Sequence, residues 1–251
     1  MTVFIKNPNL PDSRVEKVIC GSKDELILDF FEKNNITVMA SGKNKDIDPA
    51  VAEHADMAVL HLGGNKIILD KEQKSLKRIL NENNFEVYET ANAIKGEYPC
   101  DIKLNFTLVG DCAVGNFNYA DENLIKFLSA KKKINVKQGY CKCSVLVVDE
   151  NAVVTDDESI CRKMLENGFD VLLISKGDIT LSGHNYGFIG GASGKISKDT
   201  VLFFGDITKH KDFKKINDFL EKHRCRFICT DNSPLRDIGG IIPVSESEQI
   251  P

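Results

Sequence analysis

Apolar positions along the chain change period repeatedly, from the spacing of helices to short continuous runs, and back. Leu26, Ile27, Phe30 and Phe31 recur as on one helical face. So do Leu76, Ile79 and Leu80; Leu124, Ile125 and Leu128; Ile160, Met164 and Leu165; and Phe213, Ile216, Phe219 and Leu220. Each set is followed by a short β-type run: Ile36-Thr-Val-Met, Phe85-Glu-Val-Tyr, Ile134-Asn-Val, Phe169-Asp-Val-Leu-Leu-Ile and Arg226-Phe-Ile-Cys. Between helix and strand stands a turn-prone or charged cluster: Asn34-Asn35, Asn83-Asn84, Lys131-Lys-Lys, Asn167-Gly168 and Lys222-His-Arg. Such a unit cannot bury its apolar face alone, so its recurrence sets the architecture before any single motif does.

The spacing predicts five helices of two to three turns. Ser22 with Glu25 has the separation of a capping box, and Asp70, Asp121, Asp157 and Asp212 open the other four. Hairpins are expected between them, turning at Gly63-Gly64-Asn65, Gly110-Asp111 and Asp149-Glu-Asn151. A fourth is expected where Tyr186-Gly-Phe-Ile leads through a Gly-rich loop to Thr200-Val-Leu-Phe-Phe. The chain starts with a helix and strand that lack a full hairpin, and Asp237-Ile-Gly-Gly-Ile-Ile-Pro-Val near its end lacks a helix. Joining the two completes a fifth unit and removes the free edges of an open array. The expected fold is therefore α/β, a closed five-unit β/α-propeller with pseudo-fivefold repeats. It forms one domain over 1–244, followed by a loose polar tail at 245–251.

Charge narrows the partners. A net charge of −4 and an isoelectric point near 5.8 leave no excess of basic residues for a broad nucleic-acid footprint. Eight cysteines lie mostly in apolar stretches and form no Cys-x-x-Cys pair, as expected for small buried hydrophobes in a reduced compartment. Cys141 and Cys143 should face the helices, opposite Lys142. The start of the chain lacks a secretory pattern, and no apolar run approaches the ~20 residues of a membrane span. A cytoplasmic protein without a membrane partner is expected. The five histidines have no spacing suited to zinc, and no motif calls for a cofactor. Gly190-Gly-Ala-Ser-Gly194-Lys195 has Ile189 and Ile196 where a phosphate loop needs Gly and Ser or Thr, so it reads as a flexible hairpin turn.

Alternation points to a site. Asp101, Lys103, Asn105 and Thr107 interleave with Ile102, Leu104, Phe106 and Leu108, as on an eight-residue strand with one polar face. Tyr140, Lys142 and Ser144 alternate with Cys141 and Cys143 in the same way. His54, Asp56 and Asp237 lie on the corresponding segments of other units. If the units share an axis, Asp56, Asp101, Lys103, Asn105, Tyr140, Lys142 and Asp237 converge on one polar ligand pocket. His184-Asn185-Tyr186 stands where a loop could overhang it.

Asp101-Ile-Lys-Leu-Asn-Phe-Thr, Gly139-Tyr-Cys-Lys-Cys-Ser-Val-Leu-Val-Val-Asp-Glu-Asn and Gly239-Gly-Ile-Ile-Pro-Val carry a resemblance over residues 15–244. The chain resembles the pentein, or β/α-propeller, superfamily of guanidino-modifying enzymes, which includes dimethylarginine dimethylaminohydrolase-like and amidinotransferase-like proteins. It also resembles an uncharacterised bacterial family of that fold. The resemblance implies a nucleophilic Cys soon after a C-terminal Gly-Gly, but Ile241, Ile242 and Pro243 follow Gly240. It implies a His where Tyr140 stands and an acid where Asn105 stands. Attack on a guanidinium carbon needs a thiolate, a proton-transfer group and carboxylates, so the usual cysteine chemistry is not expected. Three readings follow. The first is a pocket for a small polar ligand, guanidino- or amino-acid-like; the second is a hydrolase or transferase with a rearranged set drawn from Asp56, Asp101, Lys103, Tyr140, Lys142 and Asp237; the third is a non-catalytic scaffold like the ribosome-binding members of the fold. The sequence leaves oligomeric state open.

Overall fold

Three helix starts are fixed by carboxylates. Asp24 accepts from Leu26 N at 3.0 Å, Asp121 from Asn123 N at 2.9 Å, and Asp157 from both Ser159 N and Ile160 N at 2.9 Å, satisfying amides that the first turn leaves free. Helices Glu25–Lys33, Glu122–Phe127 and Glu158–Glu166 result, with Lys74–Glu82 and Phe213–Lys222 completing the set. Beyond four of these ends a residue sits at positive φ: Asn35 at 52°, Asn84 at 63°, Gly168 at 89° and Arg224 at 54°. That left-handed step releases the chain into the next strand.

The computed structural model describes residues 2–21 and 24–248. It is a mixed α/β fold built from five sheets with one shared connection: an antiparallel pair, then a helix, then a third strand parallel to its neighbour. The first sheet orders Thr2–Phe4, Ile242–Ser247, Val15–Cys20 and Thr37–Ala40, so both ends of the chain meet in one sheet. The second holds Val59–Gly63, Lys66–Leu69 and Glu86–Glu89; the third holds Thr107–Val109, Cys112–Gly115 and Lys132–Asn135. Val145–Asp149, Ala152–Thr155 and Asp170–Leu173 form the fourth, and Ser193–Ser197, Thr200–Phe203 and Arg226–Cys229 the fifth. A two-stranded parallel piece joins Ile179–Thr180 to Leu235–Arg236. Each helix packs its apolar stripe on its own sheet, as Leu76 and Leu80 do against Ile67 and Leu69. Among the described residues, no helix is long and apolar enough to cross a membrane.

Several local expectations need correction. Residues 101–106 form a turn, not a strand: Asn105 N donates to Ile102 O and Phe106 N to Leu104 O, so only Thr107–Val109 pairs. Residues 141–144 also turn, with Ser144 N donating to Tyr140 O at 3.0 Å before the strand begins at Val145. No strand forms at 186–189. The segment expected as a flexible glycine turn instead supplies the buried strand Ser193–Ser197, where Lys195 Nζ donates to Val148 O at 2.7 Å. Asp70 does not cap its helix, which begins at Lys74; its carboxylate takes Ile94 N. Ser22 lies outside the described residues. The polar tail expected from Ser245 is strand through Ser247, paired on both sides by Thr2–Phe4 and Val15–Cys20.

Cys141 packs with Val109, Val114, Ile134 and Val145, and burial pushes its thiol up to about 12. Truncating it opens a small void, so Cys141→Ala should lower the stability seen in urea melting by about 1–3 kcal/mol. Cys100 is the exposed cysteine and should take iodoacetamide first, with Cys141 untouched in the native protein.

Candidate functional site

The two turns that replaced the expected strands build the site. Asn105, fully buried, holds them together: its Oδ1 accepts from Lys142 N at 2.7 Å, and its Nδ2 donates to Asp56 O at 3.2 Å and lies 3.1 Å from Cys143 Sγ. Because 141–144 is a turn, its side chains do not alternate between two layers. Cys141 goes to the core while Cys143 reaches the site, against the expectation that both face the helices.

Asp237 arrives from the short strand Leu235–Arg236. Its Oδ1 accepts from Gly239 N at 3.0 Å and its Oδ2 from Phe188 N at 2.9 Å. Two glycines make that placement sterically possible. A Cβ on Gly191 would stand 2.0 Å from Asp237 Oδ1, and one on Gly239, at φ 78°, would stand 2.4 Å from the Cβ of His54. His54 Nδ1 lies 3.7 Å from Asp237 Oδ1 and has no hydrogen-bond partner among the described residues. Two residues on, in the one-turn helix Ala55–Ala58, Asp56 is wholly buried with neither carboxylate oxygen hydrogen-bonded.

His54 and Asp237 border a cavity of about 230 Å³. Asp48, His54, Cys143, His184, Asn185 and Asp237 supply its polar lining, and Val51, Leu181, Tyr140, Tyr186 and Phe188 its walls. Among the described residues, no Lys or Arg lines it. His184 Nε2 meets Asp48 Oδ2 at 3.0 Å, and the His184-Asn185-Tyr186 loop lines the cavity. Lys142 faces away, into two voids of about 10 Å³ each that Asn9 also borders, with room for at most a water.

The electrostatics follow from burial. Asp56 is raised to about 6 by desolvation, with His54 lowering and Asp237 raising it. Asp237 is raised and Lys142 lowered by the same cause, and each is partly countered by the other's charge. Burial, then the charges of Asp56 and Asp237, push the Cys143 thiol well above its ordinary range. It is a neutral S–H at physiological pH, without the electropositive surroundings of a reactive thiolate.

Of the residues expected to converge on one pocket, Tyr140 and Asp237 line the cavity; Asp56 and Asn105 lie buried close to it without lining it, and Lys142 faces away. Asp101 pairs with Tyr140, Tyr140 Oη donating to Asp101 Oδ2 at 2.7 Å. Lys103 does not belong: the turn at 103–104 sends it toward Asp70, and its carbonyl accepts from Asp121 N. Cys143, Asp48 and Phe188 were missed, because their approach depends on turns that period-2 alternation conceals.

The family of unknown function (DUF6873) matches residues 18–242, most of the chain. The chain belongs to that family. No curated protein matches it by sequence. Solved structures share its fold at low identity. The amidinotransferase SxtG from Microseira wollei, of the saxitoxin biosynthetic pathway, superposes with a TM-score of 0.62 at 9% identity, covering 99% of both chains. The inosamine-phosphate amidinotransferase StrB1 from Streptomyces griseus gives 0.62 at 12%, covering 99% of this chain and 98% of that one. DDAH from Pseudomonas aeruginosa, solved with citrulline, gives 0.55 at 12%, covering 93% and 99%. This DUF6873 member therefore has the pentein fold.

Asp56 makes the site's cost measurable. An acid whose folded value exceeds its unfolded one binds more protons when folded, so stability falls as pH rises from about 4 to about 6 and stays lower above that. A rise from 3.8 to about 6 corresponds to about 3 kcal/mol, at about 1.4 kcal/mol per pH unit. Asp56→Asn removes this dependence. Relative to the parent, the variant should gain about that much stability between pH 4 and pH 7.5 in denaturant melts; an unchanged difference would show that Asp56 does not ionise there.

Proposed function

We propose that the cavity beside Asp237 binds a small organic cation, guanidino- or amino-acid-like, at the centre of a closed ring of the five sheets. Contacts at every junction support the ring. Strand Ser193–Ser197 lies against Val145–Asp149 and Ile242–Ser247, and the latter lies against Val59–Gly63. Asn105 Nδ2 to Asp56 O joins the second and third sheets, and Thr107 Oγ1 to Cys141 O the third and fourth. In this reading residues 1–244 are one domain.

One observation carries the ligand class: the cavity presents two carboxylates, aromatic walls and, among the described residues, no Lys or Arg, with the buried Asp56 behind it. An organic cation supplies the missing charge and donors, and ring faces favour it further. Asp237, fixed by two amides, orients the cation, and Asp56 strengthens the field once ionised. The amidinotransferases, DDAH and agmatine deiminase among the fold's neighbours make a guanidino compound the first class to try.

A second reading rests on Asp56 alone. A carboxyl titrating near 6 can take and return a proton at neutral pH, as a non-cysteine hydrolase or transferase would require. A purely structural scaffold is less suited to an open cavity with a buried, ionisable acid directly behind it.

The test is calorimetry and thermal shift at pH 7.5 with guanidine, 1-aminobutane and arginine. A ligand at about 100 times its Kd contributes about 2.7 kcal/mol, a rise of about 5–10 °C for a chain of this size. Binding should weaken below pH 6 as Asp56 protonates, and Asp237→Asn should abolish it. No heat and no shift with any organic monocation between pH 6 and 8 would refute the proposal.

A further inference from the structure

A wider opening of about 740 Å³ adjoins the cavity and shares Asp48, Tyr140 and His184 with it. Its lining adds the carboxylates of Asp46, Glu97 and Asp101 against a single lysine, Lys45. Surface acids alone would mean only a solvated rim. Asp101 is different: it is 1% exposed, it spends Oδ2 on the Tyr140 hydroxyl, and its Oδ1 has no hydrogen-bond partner among the described residues. A buried carboxylate oxygen without a donor is costly unless the donor comes with a ligand.

Aromatic rings connect the two spaces. Tyr98, which borders the opening, lies 5.5 Å from the Tyr140 ring, and Phe188, which borders the cavity, lies 6.2 Å from it on centroid distances. This row offers an apolar path for a hydrocarbon spacer, with an acid waiting at each end. Among the described residues, Lys45 is the one permanent cation bordering either space that could receive a carboxylate.

We infer that cavity and opening form one elongated site for a linear dication, one end at Asp237, the other at Asp101, and the spacer along Tyr98, Tyr140 and Phe188. The inference rests on the cation-binding cavity proposed above. It makes a diamine or guanidino-amine a better ligand than an α-amino acid, because a carboxylate near Asp48 and Asp101 meets like charge.

Calorimetry on the full chain at fixed ionic strength and pH 7.5 tests it, comparing 1-aminobutane, α,ω-diaminoalkanes of three to six carbons, and lysine. The best diamine should bind at least about tenfold tighter than 1-aminobutane, since a second desolvated charge pair is worth about that factor. Lysine should bind more weakly than 1,5-diaminopentane, which has the same spacer without the carboxylate. Asp101→Asn should cut the preference for dication over monocation below about tenfold. The length series on the unmodified protein decides the matter even if that variant does not fold. Monocation binding with less than a tenfold gain at every length, or lysine binding as tightly as 1,5-diaminopentane, overturns the dication alone; no binding by any of these amines or by guanidine overturns the cation cavity as well.

Discussion

The site depends on the side-chain amide of Asn105. One buried amide holds a carbonyl from the helix of Asp56 and the first amide of the Lys142–Cys143 turn, so three successive segments meet at a single residue. Hydrophobic burial brings the sheets together but is non-directional and cannot fix a turn to within a few tenths of an ångström. Paired donors and acceptors in a dry interior can, because each one left unpaired costs about 1–3 kcal/mol. An acidic side chain at this position would have no Nδ2 to offer Asp56 O, and it would add a third carboxylate beside Asp56 and Asp237. Asn105 thus sets the backbone and limits the charge density of the site.

The same local charge acts on the cysteine at the cavity. Cys143 has the right address for a nucleophile, at the edge of a cavity, yet its neighbours are acids. Carboxylates that attract an organic cation repel a thiolate, and the two roles conflict unless a base or a helix terminus offsets them. Of the two imidazoles at the cavity, His54 faces Asp237 and His184 pairs with Asp48. Burial and these acids together disfavour a sulfur anion at Cys143.

Legibility from sequence tracked the range of the interaction involved. Helices and outer strands were readable because caps such as Asp121 and Asp157 and the left-handed exits at Asn35, Asn84 and Gly168 act within a few residues. That the first sheet takes strands from both ends of the chain was readable because one end lacked a hairpin and the other lacked a helix. Side-chain direction inside the site was not. Asp101 to Thr107 alternates as well as any strand, but the segment is bent by Asn105 N to Ile102 O and held by Asp56 across the fold. Tertiary partners separated by 49 residues overrode a local period, sending Lys103 outward and Cys143 inward.

The glycines near Asp237 show how such a site tolerates so little sequence signal. Gly191 and Gly239 carry no chemistry, yet a methyl group at either would displace Asp237 or His54 by steric contact well inside van der Waals range. The acid is therefore positioned by what its neighbours lack. A motif search registers side chains that are present, so it finds a Gly-Gly run and asks which nucleophile follows. Physically, the run at Gly239-Gly240 serves the carboxylate two residues before it, since Gly239 N is one of the two donors that hold Asp237. The bend at Gly239-Gly240 thus needs no following nucleophile to have a structural role: it holds a buried acid in one fixed orientation.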